Sequence, residues 1–312
     1  MVYFHDRYRS RIGGSDADRH PFSLRGRGSG AYPTAARAIY SWLPTNERGL
    51  ALGLLNTGSR LGAAIGLSLM SGSIAVMGWR ASFITLGVLG LLWAAWWYWW
   101  HRDQPEQKSG AAPSAEPQRS LLTRDAVFVV LQYFCSNFTF FLCFSWLLPY
   151  LREAFHLPAQ QAAFFASIPL YCGALATWTS GLAVDALFRR GHWDWSRRGP
   201  AMAGFSLAAI CLLAATRCTN VLPFISCFSL TTFGVDFTLS PSWSASSDLG
   251  GRRTGTLSAS LNVLGSAGAF ASSVVFPWLL NETHSGFAYF VVAAALDVAA
   301  VFLWLRVRVA PR

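Results

Sequence analysis

An all-α membrane protein is the fold class this sequence predicts, and three observations predict it. Hydrophobic residues make up 53% of the 312 positions and charged residues only 13%, with 14 tryptophans, a composition outside the range of water-soluble domains. Apolar runs long enough to cross a hydrocarbon layer of about 30 Å recur along the chain. Lysine and arginine concentrate in every second loop between those runs. Lipid forbids open sheet edges, so each run is expected to be a helix.

The elements follow in order. Residues 1–30 are hydrophilic and Arg-rich, with neither the apolar region of a signal peptide nor amphipathic periodicity, and are expected to be disordered or foreign to the fold. Ala31 to Leu43 is apolar but only half a span long. Eight full spans then follow: Gly49 to Met77, Ala81 to Trp100, Ala126 to Leu148, Ala163 to Leu187, Gly199 to Thr216, Val221 to Ala245, Thr254 to Leu280 and Phe287 to Leu305. A polar Pro/Ala/Ser-rich linker over 101–125 divides them, leaving a short group at 31–100 and a group of six at 126–312.

Orientation is read from the basic residues. One set of loops holds Arg48; Arg102, Lys108, Arg119 and Arg124; Arg189, Arg190, Arg197 and Arg198; Arg252 and Arg253; and Arg306, Arg308 and Arg312. The opposite set holds Arg80, Arg152 and Arg217. The imbalance places the linker and the C-terminus in the cytoplasm and the chain in the cell (inner) membrane. A net charge of +10 would suggest nucleic acid in a soluble protein, but here the bases sit in short loops as topology signals, so no nucleic-acid partner is expected.

The six cysteines, Cys135, Cys143, Cys172, Cys211, Cys218 and Cys227, lie in or beside apolar runs without CxxC spacing. They read as small apolar residues, neither disulfides nor metal ligands. The six histidines fall in loops or at span ends. No metalloprotease, nucleophile-elbow, phosphate-loop or CxxC motif occurs, so neither enzyme activity, cofactor nor metal is expected.

Within the first full span, Gly58, Gly62 and Gly66 recur every fourth position. In a membrane such a stripe lets another helix backbone approach, so it reads as a packing face. Near the C-terminus, Gly255, Asn262 and Gly268 repeat the spacing of Gly49, Asn56 and Gly62, which suggests two related halves, a feature of transporters.

Several motifs together carry a family resemblance. These are Pro33, Arg37 and Trp42-Leu43-Pro44 with Glu47-Arg48-Gly49; Gly78-Trp79-Arg80; Tyr133, Asn137 and the run Trp146 to Leu151; and Asp248 to Gly251, followed by Gly255, Asn262 and Gly268. Over residues 31–305 the chain resembles the major facilitator superfamily from its fourth helix onward, and within it the anion:cation symporter branch. The resemblance implies a partial helical bundle of about eight full transmembrane helices plus a half span. It implies proton-coupled transport of a small organic anion such as a sugar acid by alternating access, with protons, the substrate and the bilayer as partners and a monomeric chain. Three helices that open a complete family member have no counterpart here. The family's Gly-Glu pair before the proline falls at Gly28, inside the hydrophilic segment, so a truncated chain unable to transport alone is expected. An uncoupled facilitator or exporter, or a non-transporting membrane remnant, are the alternatives.

Candidate site residues follow from cost and from the resemblance. An ionisable group at membrane depth costs at least about 2.5 kcal/mol, which singles out Arg60, Asp236 and Asp297. Pro241 breaks the span that carries Asp236 and is expected to free backbone groups for a ligand, so Asp236 reads as a proton-coupling or substrate residue, or else as a structural partner of Arg60. Asp297, on what the resemblance implies is a peripheral helix, reads as snorkelling or as paired within the bundle. Arg37 and Arg60 are candidate counter-charges for a carboxylate, which a guanidinium grips with two parallel hydrogen bonds. Tyr133, Asn137, Ser242, Trp243 and Asn262 occupy polar or aromatic positions on path-lining family helices, where they serve substrate binding or act as interhelical glue. In Gly181 to Gly191, Asp185, Arg189 and Arg190 resemble the superfamily's cytoplasmic signature loop. An aspartate there can pair with Arg189, four residues on, while facing the positive N-terminus of a neighbouring helix, and so gate the cytoplasmic side; an ordinary interfacial salt bridge is the alternative.

Overall fold

The computed structural model describes residue 39 and residues 47–100, 123–283 and 286–308. Arg37, the segment 1–30, most of the half span and linker residues 101–122 lie outside the described residues. What is described is helical. α1 is Arg48–Trp100; α2 is Arg124–Phe141, continued by a π-helical turn, Leu142–Trp146, into α3, Leu147–Ala154. α4 is Ala159–Arg189, α5 Trp193–Ala215 and α6 Val221–Phe237. α7 is Leu239–Gly250, α8 Thr254–Thr283 and α9 Phe287–Arg306.

Seven of these helical stretches are long and apolar enough to cross a membrane. The first of them supplies two crossings, because α1 folds back at Gly78 (φ 76°, ψ 165°), backbone that a residue with a Cβ rarely adopts. Ser73 and Ser82 share a hydroxyl hydrogen bond of 2.7 Å across the turn, whereas nine residues of straight helix would hold them about 13 Å apart. Among the described residues eight crossings result, as the full-length apolar runs predict, and the chain is a multi-pass membrane protein.

Helices in hydrocarbon gain nothing from hiding apolar surface, so their contacts must come from close packing and internal polar bonds. Side chains such as Leu69, Phe83, Leu91, Tyr98, Phe270 and Phe302 accordingly stay exposed. The interior has three clusters. One gathers aromatic rings from α2, α3, α6, α8 and α9, including Phe138, Phe224, Phe228, Phe276, Tyr289 and Phe290. A second, at the other end, joins Leu52, Tyr133, Trp243, Leu257 and Trp304, with Ile39 against it. A small middle cluster holds Ala64, Phe140, Leu170, Ala208 and Val235.

The Gly58/Gly62/Gly66 face does not pack against another helix among the described residues. A Cβ added at any of the three would meet nothing within 4 Å. The reason is angular: α1 turns its Leu52, Asn56, Arg60 and Ala64 stripe inward, and position 62 lies about 200° around the helix from position 60. The tight approach is made by Gly53, where a Cβ would sit 2.7 Å from the Thr177 carbonyl oxygen of α4.

The helix carrying Asp236 breaks where proline chemistry requires. Pro241 has no N–H to offer the carbonyl four residues back, that of Phe237, and the break between α6 and α7 falls at Thr238. The orphaned Phe237 carbonyl is not left for a ligand: the Ser180 hydroxyl donates to it at 2.5 Å. Ser180→Ala is therefore expected to lower stability by about 1–3 kcal/mol, the cost of an unsatisfied buried carbonyl, readable as unfolding of the purified protein in detergent. An unchanged unfolding midpoint would show that the carbonyl finds another donor.

Candidate functional site

Three elements meet at the break. α1 delivers Arg60 from its inward stripe, α6 delivers Asp236 one residue before its end, and α2 supplies the aromatic floor. The Arg60 guanidinium donates twice to the Asp236 carboxylate, Nε to Oδ2 at 2.9 Å and Nη2 to Oδ1 at 2.7 Å. Its central carbon lies 3.6 Å from the centroid of Phe140, a cation–π contact on the ring face. Asp236 is fully buried, while the Arg60 side chain keeps 17% of its exposure. Gly173 of α4 makes room for the carboxylate, since a Cβ there would collide with Asp236 Oδ2. The structure thus pairs Asp236 with Arg60.

A second cluster lies one turn away. Tyr133, Asn137 and Phe140 sit at i, i+4 and i+7 on α2 and so share a face. Tyr133 packs edge-on against Trp243 of α7, with centroids 6.0 Å apart and planes at 85°. Asn137 donates to the Tyr133 carbonyl at 2.9 Å, and both residues lie against Gly265 of α8, where a Cβ would be 2.8 Å from either. Ser242 accepts from Gln132 Nε2 at 3.0 Å and donates to the Thr238 carbonyl at 2.7 Å. Trp243 and Ser242 are buried; Asn262, on α8, is half-buried. Arg60, Asn137 and Asn262 each keep part of their surface exposed.

At the end of α4 the Asp185 carboxylate receives the amide N–H of Leu50 at 2.7 Å, so a buried anion faces the N-terminus of α1, where amides lack intrahelical partners and the helix dipole is positive. Arg189 and Arg190 are exposed at the end of the same helix, and no ion pair joins Asp185 to Arg189 among the described residues. Asp297 is buried inside the bundle and accepts from Thr139 of α2 at 3.0 Å.

Sequence reasoning missed the groups that support these residues. Phe140 could have been found as the third member of the α2 face. Gly173 carried no signal, because its role depends on which helix α6 crosses. The buried Arg197, paired with Asp248 at 2.9 Å, read only as a topology charge.

Comparison with known proteins agrees with this architecture. Residues 24–273 match the family described as Major Facilitator Superfamily. The chain is 29% identical over 286 residues to the probable sulfoacetate transporter SauU of Cupriavidus necator, a match covering 86% of this chain and 66% of the relative. It is 24% identical to the probable L-galactonate transporter of Escherichia coli K12, covering 88% and 64%. It is 26% identical to the probable anion transporter 3, chloroplastic, of Arabidopsis thaliana, covering 88% and 58%. The chain thus spans less than two thirds of these relatives' lengths. Among solved structures it resembles a crystal structure of a bacterial homologue of the iron transporter ferroportin in an outward-facing state. That likeness has a TM-score of 0.57 at 15% identity and covers 85% of this chain and 65% of that one, a likeness of fold. With the matched stretch taking in most of the chain, the helical architecture and the family profile agree, and this protein belongs to the Major Facilitator Superfamily.

Proposed function

We propose that this chain forms the larger part of a proton-linked transporter of small organic anions, with Arg60 holding the anion and Asp236 holding the proton. The single observation that carries the reading is the two-pronged Arg60–Asp236 pair at the break between α6 and α7. The relatives named above support the substrate class, since sulfoacetate and L-galactonate both present a carboxylate. A guanidinium bonded to an internal carboxylate is preorganised for an external one of the same geometry. Exchange between them is the proposed switch: a proton on Asp236 removes its charge, loosens its grip on Arg60 and leaves the fork for the substrate.

Tyr133 and Trp243 would supply an aromatic wall, and Asn137, Ser242, Asn262 and Arg37 further polar contacts. Asp185 on the α1 N-terminus, with Arg189 and Arg190 beside it, would hold the cytoplasmic side shut when that side is closed. Residues 31–100 would belong to one bundle and 126–312 to the other, rocking about the site in alternating access. The basic loops support an orientation with the linker and C-terminus on the cytoplasmic side of a cell membrane.

The sign of the pH effect follows. Protonation frees Arg60, so the anion should bind more tightly as pH falls, and by linkage the anion should raise proton occupancy. The test is ligand-induced thermal stabilisation of the purified chain, using galactonate and sulfoacetate at several pH values. Saturation at about 100 times Kd should add about 2.7 kcal/mol, and less ligand should be needed at acid pH. Asp236→Asn should bind with no pH dependence. A pH-independent shift in the parent chain removes Asp236 as the proton site.

A further inference from the structure

Cys218 and Cys227 are brought together by a turn that the sequence does not advertise. α5 ends at Ala215, residues 216–220 reverse the chain, and α6 begins at Val221. Cys218 lies in that turn and Cys227 two turns into α6. Their sulfurs are 3.9 Å apart, both side chains are half-buried, and both pack against the same aromatic cluster. Among the described residues, Cys135, Cys143, Cys172 and Cys211 have no second cysteine sulfur at that range. A disulfide needs sulfurs about 2.0 Å apart with facing Cβ atoms, so bond formation from 3.9 Å requires the two side chains to move closer.

The position of the pair in the membrane matters. Arg217 is one of only three basic residues on the sparsely charged side of the chain, and Arg217, Thr219 and Asn220 are exposed around Cys218. On the orientation proposed above, this turn faces the extracytoplasmic space, where thiols are oxidised and disulfides persist.

We propose that Cys218 and Cys227 form a redox-active disulfide that staples the extracytoplasmic end of α5 to α6. The oxidant is a disulfide of the extracytoplasmic space, on a protein or a small molecule. The Cys218 thiolate attacks one of its sulfurs, forming a mixed disulfide and releasing one oxidant thiol. The Cys227 thiolate then attacks Cys218 Sγ and displaces the second. Two thiols of this chain are oxidised, one external disulfide is reduced to two thiols, and the two protons end on those thiols. The staple would fix the start of the helix whose other end carries Asp236, tying the α5–α6 spacing to the redox state outside the cell.

The experiment is peptide mapping of the full chain in native membranes. Free thiols are alkylated with a maleimide before any reductant is added, and trypsin releases the peptide from Cys218 to Arg252, which holds both cysteines. The expected result is an unalkylated peptide lighter by two hydrogens, which takes up two maleimides after reduction. Cys218→Ser and Cys227→Ser should each expose the remaining thiol to alkylation. Recovery of the parent peptide with both cysteines alkylated and no reductant overturns the proposal. Because the proposal rests on the orientation, Arg308→Cys is probed in the same cells with a membrane-impermeant maleimide. Labelling there from outside means the orientation has failed, while its protection together with two alkylated cysteines means the thiol pairing itself is wrong.

Discussion

Arg60→Ala is expected to destabilise the chain by about 3–5 kcal/mol, the usual consequence of removing one member of a buried ion pair. Asp236 would be left fully buried, with Gly173 and Thr232 against it and no guanidinium to share its charge. A carboxylate in hydrocarbon surroundings must then either stay charged without a counter-ion or take up a proton, and both cost free energy. Arg60→Lys should recover part of the loss, because the charge returns but the planar fork and its stacking on Phe140 do not. The informative control removes both charges. Arg60→Met with Asp236→Leu should regain most of the lost stability, since well-packed apolar residues commonly replace a buried pair at little cost. Reversible unfolding in mixed micelles reads all four proteins. If Arg60→Ala alone matches the parent chain, the pair contributes no stability and its geometry must be explained by binding alone.

The same pair separates what stability and function each demand. A double apolar variant that is stable yet gives no ligand-induced shift with galactonate would place the pair in the transport machinery. One that retains the shift would assign the pair to structure.

Much of this architecture was legible in the chain, for identifiable reasons. Span positions came from apolar length alone, because hydrocarbon thickness sets one dominant scale, and α5, α8 and α9 fall on the predicted runs within a few residues, apart from a polar first turn and a half at the head of α5. The helix break at Pro241 was legible because a missing N–H is a local fact. What filled the resulting gap was not: Ser180 lies 57 residues away from Phe237, and only the α4–α6 crossing brings them together. Arg60 and Asp236 stood out by cost, yet their union across 176 positions needed the fold. The cysteine pair was lost to the same limit, since its spacing matches no motif and the turn between α5 and α6 decides it. Arg37, singled out beside Arg60, falls among residues the structure leaves undescribed.

The glycines teach the sharpest version of that lesson, and they set the last expected result. Regular spacing drew the reading to Gly58, Gly62 and Gly66, which meet nothing within 4 Å. One of the close backbone crossings among the described residues instead joins two isolated glycines, Gly204 of α5 and Gly234 of α6. A Cβ on Gly204 would overlap the Gly234 carbonyl oxygen. One on Gly234 would sit 2.5 Å from the Gly204 carbonyl oxygen and 2.9 Å from the Ala208 nitrogen. These contacts are backbone, so no rotamer change relieves them, and α5 and α6 would have to separate along their length. Gly204→Leu or Gly234→Leu is therefore expected to cost at least the about 1–3 kcal/mol typical of overpacking, and to shift α6 and with it Asp236. Gly62→Leu, by contrast, should be neutral or gain up to about 1 kcal/mol from helix propensity. Unfolding midpoints of the three single variants in one detergent make the comparison. Should Gly62→Leu prove the most damaging, the open face of α1 is occupied in the folded protein, and helix spacing in the sequence was the better guide after all.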